Sequence, residues 1–156
     1  MIGQKNFPNQ KVKIFIETKW VHNSNYPYTE KLMNDKSQAH KDGLNIMQQM
    51  GETPKDGLDK IDQEFSDLSI ETIFGGVWAR EGLSLRDRAL VTAATVIALG
   101  RDPMAVKPNI RRCIRTGITD TEFREMLYQV MHYAGWSIGG PAMKNYKEVL
   151  EELENE

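Results

Sequence analysis

Cysteine is almost missing from this chain. Of 156 residues only Cys113 carries a thiol, so no disulfide can close within one copy, and the composition fits a reducing compartment. An excess of one charge is missing too. The 20 Lys and Arg against 22 Asp and Glu leave a formal charge of -2 and a pI near 6.0. That balance argues against a nucleic-acid surface, which needs clustered and uncompensated cations. Long apolar runs are absent: the longest, Ala89 to Leu99, is about half of what a bilayer crossing requires. The opening MIGQKNFPNQ has neither the positive start nor the apolar stretch of a secretory leader. The expectation is a soluble cytoplasmic protein with no membrane and no nucleic-acid partner. Histidine is scarce as well. His22, His40 and His132 share no metal-type spacing, so no metal site is expected.

What is present is a series of helix starts and stops, at a length that suits one domain with a real core. Ser37 and Gly51 bracket one helix, with Leu44, Met47 and either Ala39 or His40 turned inward. From Leu58 the apolar positions Ile61, Phe65, Leu68, Ile70, Ile73, Phe74, Val77 and Trp78 recur at helical spacing up to Gly82. The Gly75-Gly76 pair inside that helix costs roughly 1 kcal/mol per glycine relative to alanine, which points to close approach of another helix or of a ligand. Ser84 with Asp87 opens the apolar segment that Gly100 closes, and its near-continuous apolar character predicts a helix buried on most of its faces. Asp102-Pro103 is a cap and first-turn pair. Pro108 can begin a further helix, ended by Gly117. Thr119 and Glu122 form a capping box. The helix they open carries Phe123, Met126, Leu127, Val130, Met131 and Ala134 as one stripe, and Gly135 stops it. Pro141 opens the last helix. Single helices of this size hold only when packed against others, so the pattern predicts an all-α bundle.

Residues 1–35 differ in composition. There Val12, Ile14, Ile16, Thr18 and Trp20 alternate with Lys13, Phe15, Glu17 and Lys19. Period two is strand-like, yet a lone strand has nothing to pair with in a helical domain. Either this segment is an arm lying extended across the domain or a neighbouring subunit, or the alternation is accidental. The chain therefore divides into a 1–35 extension and a 36–156 helical domain.

Candidate chemistry gathers on a few faces. Glu125, Tyr128, Gln129 and His132 fall opposite the apolar stripe, close enough for side chains to meet. Open to water, that face is an ordinary solvated surface; covered by a partner helix, it becomes a partly desolvated set with a proton-moving group. Trp78 and Trp136 are either core residues or the floor of a pocket for a flat ring. Arg80, Arg111 and Arg112 are either exposed helix cations or bidentate holders of a carboxylate. The local basic patch of Arg111, Arg112 and Arg115 suits a small anion or a solvated face better than a duplex. Cys113, mid-helix beside Ile110, reads as a small apolar filler.

Taken together, Phe74-Gly75-x-Val77-Trp78-x-Arg80-x-Gly82-Leu83, Arg86-x-Arg88-x-Leu90-Val91-Thr92, Ala98-Leu99-Gly100-Arg101, Ile110-Arg111 and Tyr133-Ala134-Gly135-Trp136 form a pattern. Over roughly residues 37–150 it resembles the carboxymuconolactone decarboxylase family, which shares its fold with alkyl hydroperoxidase D. The resemblance implies an alkyl hydroperoxidase D-like helical bundle that forms homo-oligomers (dimer, trimer or hexamer), with pockets near subunit contacts and lined by the Thr119–Gly135 helix. It implies a cofactor-independent lyase acting on a small anionic substrate, a carboxylated lactone or similar ring. In that mechanism Arg111 or Arg80 holds the carboxylate and His132 protonates the carbon that loses carbon dioxide. Trp78, Trp136, Tyr133, Asn109, Gln129 and Glu125 line the substrate. Departures from the family pattern are Gly76, Ala89 and Asn109, where many relatives carry an acidic or polar residue, a Glu or Ser, and a His. They favour an alternative, a member that binds a small ligand without the reaction. A thiol peroxidase of the alkyl hydroperoxidase type would need a C-x-x-C pair that Gly100 to Val106 does not contain.

Overall fold

Five polar side chains set the helix starts. Ser37, Asp62, Ser84, Asp102 and Thr119 each accept a hydrogen bond from the backbone N–H three residues on, satisfying a first-turn donor that has no partner within its helix. In a computed structural model that describes residues 36–54 and 62–155, these caps open α1 (Gln38–Gln49), α2 (Gln63–Ser69), α3 (Leu85–Ala98), α4 (Pro103–Arg115) and α5 (Asp120–Ala134). A π-helix, Ile70–Trp78, continues α2 without a break. A 3-10 turn, Trp136–Ile138, leads into α6 (Gly139–Glu154). Among the described residues there are six α-helices and no strand, as the all-α reading expects. The strand-like alternation from Val12 to Trp20 lies outside the described residues.

The stops are equally local. Gly51, Gly100, Gly117 and Gly135 follow their helices with φ of +67°, +60°, +88° and +109°, conformations that side chains with a Cβ resist. The Thr119 capping box forms on both sides, hydroxyl to Glu122 N–H and Glu122 carboxylate to the Thr119 N–H. The core collects Ala89, Ala93 and Ile97 of α3, Val106, Ile110 and Cys113 of α4, Phe123 and Leu127 of α5, and Tyr146 and Val149 of α6. Phe123 stacks on Tyr146 with ring centroids 4.2 Å apart. Burial, and then the neighbouring Asp120, push the Tyr146 phenol up to about 12.

Several sequence expectations change here. The segment from Leu58 is described from Asp62 on, and it ends at Trp78 rather than Gly82. Within it Phe65, Leu68, Ile73 and Val77 face outward, while Ile70, Phe74 and Trp78 are buried. Ile70, Phe74 and Trp78, four residues apart within the π-helix, form its inner line, while Phe65 and Leu68 precede it in α2. Gly75 is where α1 comes close, since a Cβ there would sit 1.8 Å from the Ala39 carbonyl oxygen. Gly43 on α1 makes the matching approach, 2.3 Å to the Ile70 carbonyl oxygen. Gly76 has no such role.

The segment of α3 is not buried on most faces. It hides one stripe, Ala89, Ala93 and Ile97, and leaves Val91 57% and Leu99 62% exposed. Small alanines let neighbouring helices come near on that stripe, and the larger side chains project from the others. Pro108 does not open a separate helix. It lies inside α4, where its missing N–H removes the bond that would reach the Met104 carbonyl, on an exposed turn where water can take that bond. The last helix starts at Gly139, two residues before Pro141, because the 3-10 turn has already curled the chain. No helix among the described residues is long and apolar enough to cross a membrane.

Candidate functional site

Along α5, Glu125, Gln129, His132 and Tyr133 come to the surface, all exposed. Gly135 then turns the chain so that Trp136 folds back on α5. The His132 and Trp136 rings meet edge to face with centroids 5.4 Å apart. His132 Nδ1 lies 2.8 Å from the Tyr128 carbonyl oxygen. A carbonyl only accepts, so Nδ1 carries the hydrogen and Nε2 is the nitrogen that can take up and return a proton. Tyr133 is 84% and Trp136 67% exposed, so the aromatic surface around this imidazole is open in the single chain.

A second group surrounds α4 and is closed. Arg112 Nε and Nη2 donate to the two Glu52 oxygens at 2.7 and 3.0 Å, and its Nη1 donates to Asn109 Oδ1 at 2.8 Å. Its guanidinium also covers the Phe74 and Trp78 rings at 5.2 and 5.9 Å. Asn109 is buried and gives its Nδ2 to the Ala105 carbonyl at 2.8 Å, so both ends of its amide are engaged within the chain. Trp78 is buried beside Phe74. Arg111 pairs with Glu152, and Arg115 donates to the Gly51 carbonyl at 2.7 Å. The basic triplet of α4 therefore ties α4 to α6 and to the turn after α1. That pairing had no local sequence signal, since Glu52 stands 60 residues from Arg112.

A third region joins the end of the π-helix to the start of α3. Arg80 is exposed, and its carbonyl accepts a 2.6 Å bond from Arg88 Nη2. Arg88 is partly buried, its Nε is closed to solvent, and no acceptor meets that nitrogen. The sequence reading took Arg88 only as part of a motif. The signal that separates it from its neighbours is the missing carboxylate, which only the folded chain reveals. Arg86, two residues earlier, is paired with Glu122 in the first turn of α5. This bond and the Thr119 backbone hold the Glu122 carboxyl down to about 2, the backbone bond being the larger cause.

The Arg86–Glu122 contact also fixes the level of these groups. His132 lies ten residues beyond Glu122, roughly 15 Å along the helix axis. The imidazole thus stands toward the end of α5 opposite to the one that Arg86 holds. Cys113 is fully buried, and burial pushes its thiol up to about 12, the behaviour of a filler and not of a nucleophile. Among the described residues no group of three or more His, Cys, Asp or Glu is placed to hold a metal ion.

The sequence is similar to that of known proteins. A curated 4-carboxymuconolactone decarboxylase from Acinetobacter baylyi is 32% identical over 126 residues, spanning 78% of this chain and 92% of that protein. The family model described as the carboxymuconolactone decarboxylase family matches residues 51–151, from the turn after α1 to the last turns of α6, and the chain belongs to that family.

Proposed function

We propose that this protein is a cofactor-independent carboxy-lyase of the carboxymuconolactone decarboxylase type, acting on a small lactone or similar ring that bears a carboxylate. The observation that carries the reading is the similarity to the Acinetobacter baylyi decarboxylase over nearly that protein's whole length. In the reaction the bond between ring carbon and carboxylate breaks, carbon dioxide leaves, and the electron pair moves into the substrate's own conjugated carbonyl. The carbon then takes a proton from His132 Nε2, the nitrogen that the Nδ1 bond to Tyr128 leaves for this task. One proton is consumed per turnover, and water restores it to the imidazole.

An arginine anchors the anion. Arg111 is paired with Glu152, whereas Arg80 has no carboxylate partner among the described residues, so Arg80 is the better of the two candidates. Tyr133 and Trp136 are largely exposed around His132 in the single chain, and the reading includes a homo-oligomer in which a second copy covers them and brings its arginine to the imidazole. Gln129 and Glu125, on the same face, would then line the substrate with them.

Purified protein incubated with carboxymuconolactone should release carbon dioxide, and His132→Ala should release little or none. Absence of turnover in the wild type rejects the lyase; full turnover in the variant rejects His132. A complementary test mixes His132→Ala with Arg80→Gln after dissociation and reassociation. Shared sites predict recovered activity of up to about a quarter of wild type in a two-copy assembly, because about half of randomly reassorted pairs are mixed and each mixed pair carries one intact site of two.

The internal engagement of Asn109 favours a second reading, a member that keeps a ligand pocket without the chemistry. It predicts thermal stabilisation by ring carboxylates with no product formed.

A further inference from the structure

We propose that Arg88 is the cation that receives a carboxylate group of the substrate, at the corner where the end of the π-helix meets the first turns of α3, with Arg80 beside it. This rests on the lyase reading above and adds to Arg80 a second cation, with the fork geometry to grip the carboxylate, in that site.

Four other arginines of the helical domain have carboxylate partners. Arg86 has Glu122, Arg111 has Glu152, Arg112 has Glu52 and Arg124 has Asp120. Arg88 is partly buried like Arg111 and Arg112, yet no carboxylate pairs with it among the described residues. Its one bond runs to a neutral acceptor, the Arg80 carbonyl, and its Nε reaches neither water nor an acceptor. A guanidinium keeps its charge at any pH a protein survives, so it cannot escape desolvation by losing a proton. A partly buried cation of this kind is costly until an anion arrives. The bond to the Arg80 carbonyl spends one of five N–H donors and fixes the plane of the fork. The other donors suit the two oxygens of a carboxylate, which an arginine grips better than a lysine can. Arg80, exposed and next to it, adds a second positive charge without competing for that carbonyl.

The probe is 2-furoate, a flat ring carboxylate, compared with the neutral 2-furamide, on the full-length protein. Furoate should bind the wild type and Arg101→Gln alike, and furamide should bind neither. Arg88→Gln should bind furoate about 10- to 100-fold more weakly, the usual loss for a hydrogen bond to a charged group. Should Arg88→Gln fold poorly, the wild type answers directly. The Nε–H cross-peak of Arg88, identified by its loss in Arg88→Lys, should move saturably with furoate and stay still with furamide. A stationary cross-peak, or furoate affinity unchanged in Arg88→Gln, overturns the assignment. So does a change in oligomeric state in Arg88→Gln with furoate binding intact, which would mean that a carboxylate of a second copy neutralises Arg88. The two readings fail separately. Wild-type protein that binds furoate through Arg88 but releases no carbon dioxide from carboxymuconolactone removes the lyase and keeps the anion site. Turnover with kcat/KM unchanged in Arg88→Gln removes Arg88 and keeps the lyase.

Discussion

Arg112 and Arg88 are both partly buried guanidinium groups on neighbouring helices, and the fold treats them in opposite ways. Arg112 has a bidentate carboxylate, an amide oxygen and two aromatic faces. Arg88 has one backbone carbonyl. A cation whose three nitrogens all meet acceptors inside the chain holds helices together. One left without a counter-charge is the group to which the proposal above brings a substrate carboxylate. The comparison separates structural from ligand-directed charge without reference to how exposed either residue is.

Breaking the closed arginine should have the largest effect on stability. Arg112→Ala strands the mostly buried Glu52 carboxylate and uncovers Phe74 and Trp78, and urea unfolding should show a loss of roughly 3 to 5 kcal/mol. Replacing both partners, Arg112→Met with Glu52→Gln, should recover most of it.

The next test sharpens the frame that places Arg80. Gly75→Ala forces a methyl against the Ala39 backbone and should cost roughly 1 to 3 kcal/mol, because neither helix backbone can yield cheaply. Gly76→Ala, whose methyl would meet the Glu71 carbonyl at an ordinary 3.5 Å, should be neutral or gain up to about 1 kcal/mol. Equal losses at the two glycines in thermal unfolding would mean that the tight α1 crossing is not the reason for the pair.

Arg88→Met should leave stability within about 1 kcal/mol of wild type, since the bond to the Arg80 carbonyl is lost while an uncompensated charge is removed. A loss as large as that of Arg112→Ala would erase the distinction between the two arginines.

The smallest effect concerns pH. Glu122 is held below its ordinary value of 4.5, at about 2, by the Thr119 N–H first and by Arg86 next. A carboxylate with a depressed folded value stabilises the fold fully above its unfolded value and loses that contribution as pH falls through the folded one. Stability should therefore decline between about pH 4.5 and about 2, with a shallower slope in Glu122→Gln. An unchanged acid slope would show that the cap and bridge do not act in solution.

Much of the helix map was legible in the sequence because capping is a contest among adjacent groups. Ser84, Asp102 and Thr119 satisfy donors three residues away, and Gly51, Gly100, Gly117 and Gly135 take a conformation that other residues resist. The inward face was harder to read. Phe65, Leu68, Ile73 and Val77 fit a helical period as well as their buried neighbours do, and spacing alone could not choose between the two sets. Of the candidate site, the imidazole and its aromatic surroundings share one helix and the turn after it, and were visible from spacing. The commitments of Arg111 and Arg112 were not, because Glu152 and Glu52 lie 41 and 60 residues away.

By itself the sequence determined most of the helix caps and stops, the all-α character and the family motifs, since each of these depends on residues within a turn or two of one another. Only the tertiary structure decided which arginines are neutralised inside the chain and which are not, because a counter-charge is a matter of distance in space and the chain folds many residues away to supply it.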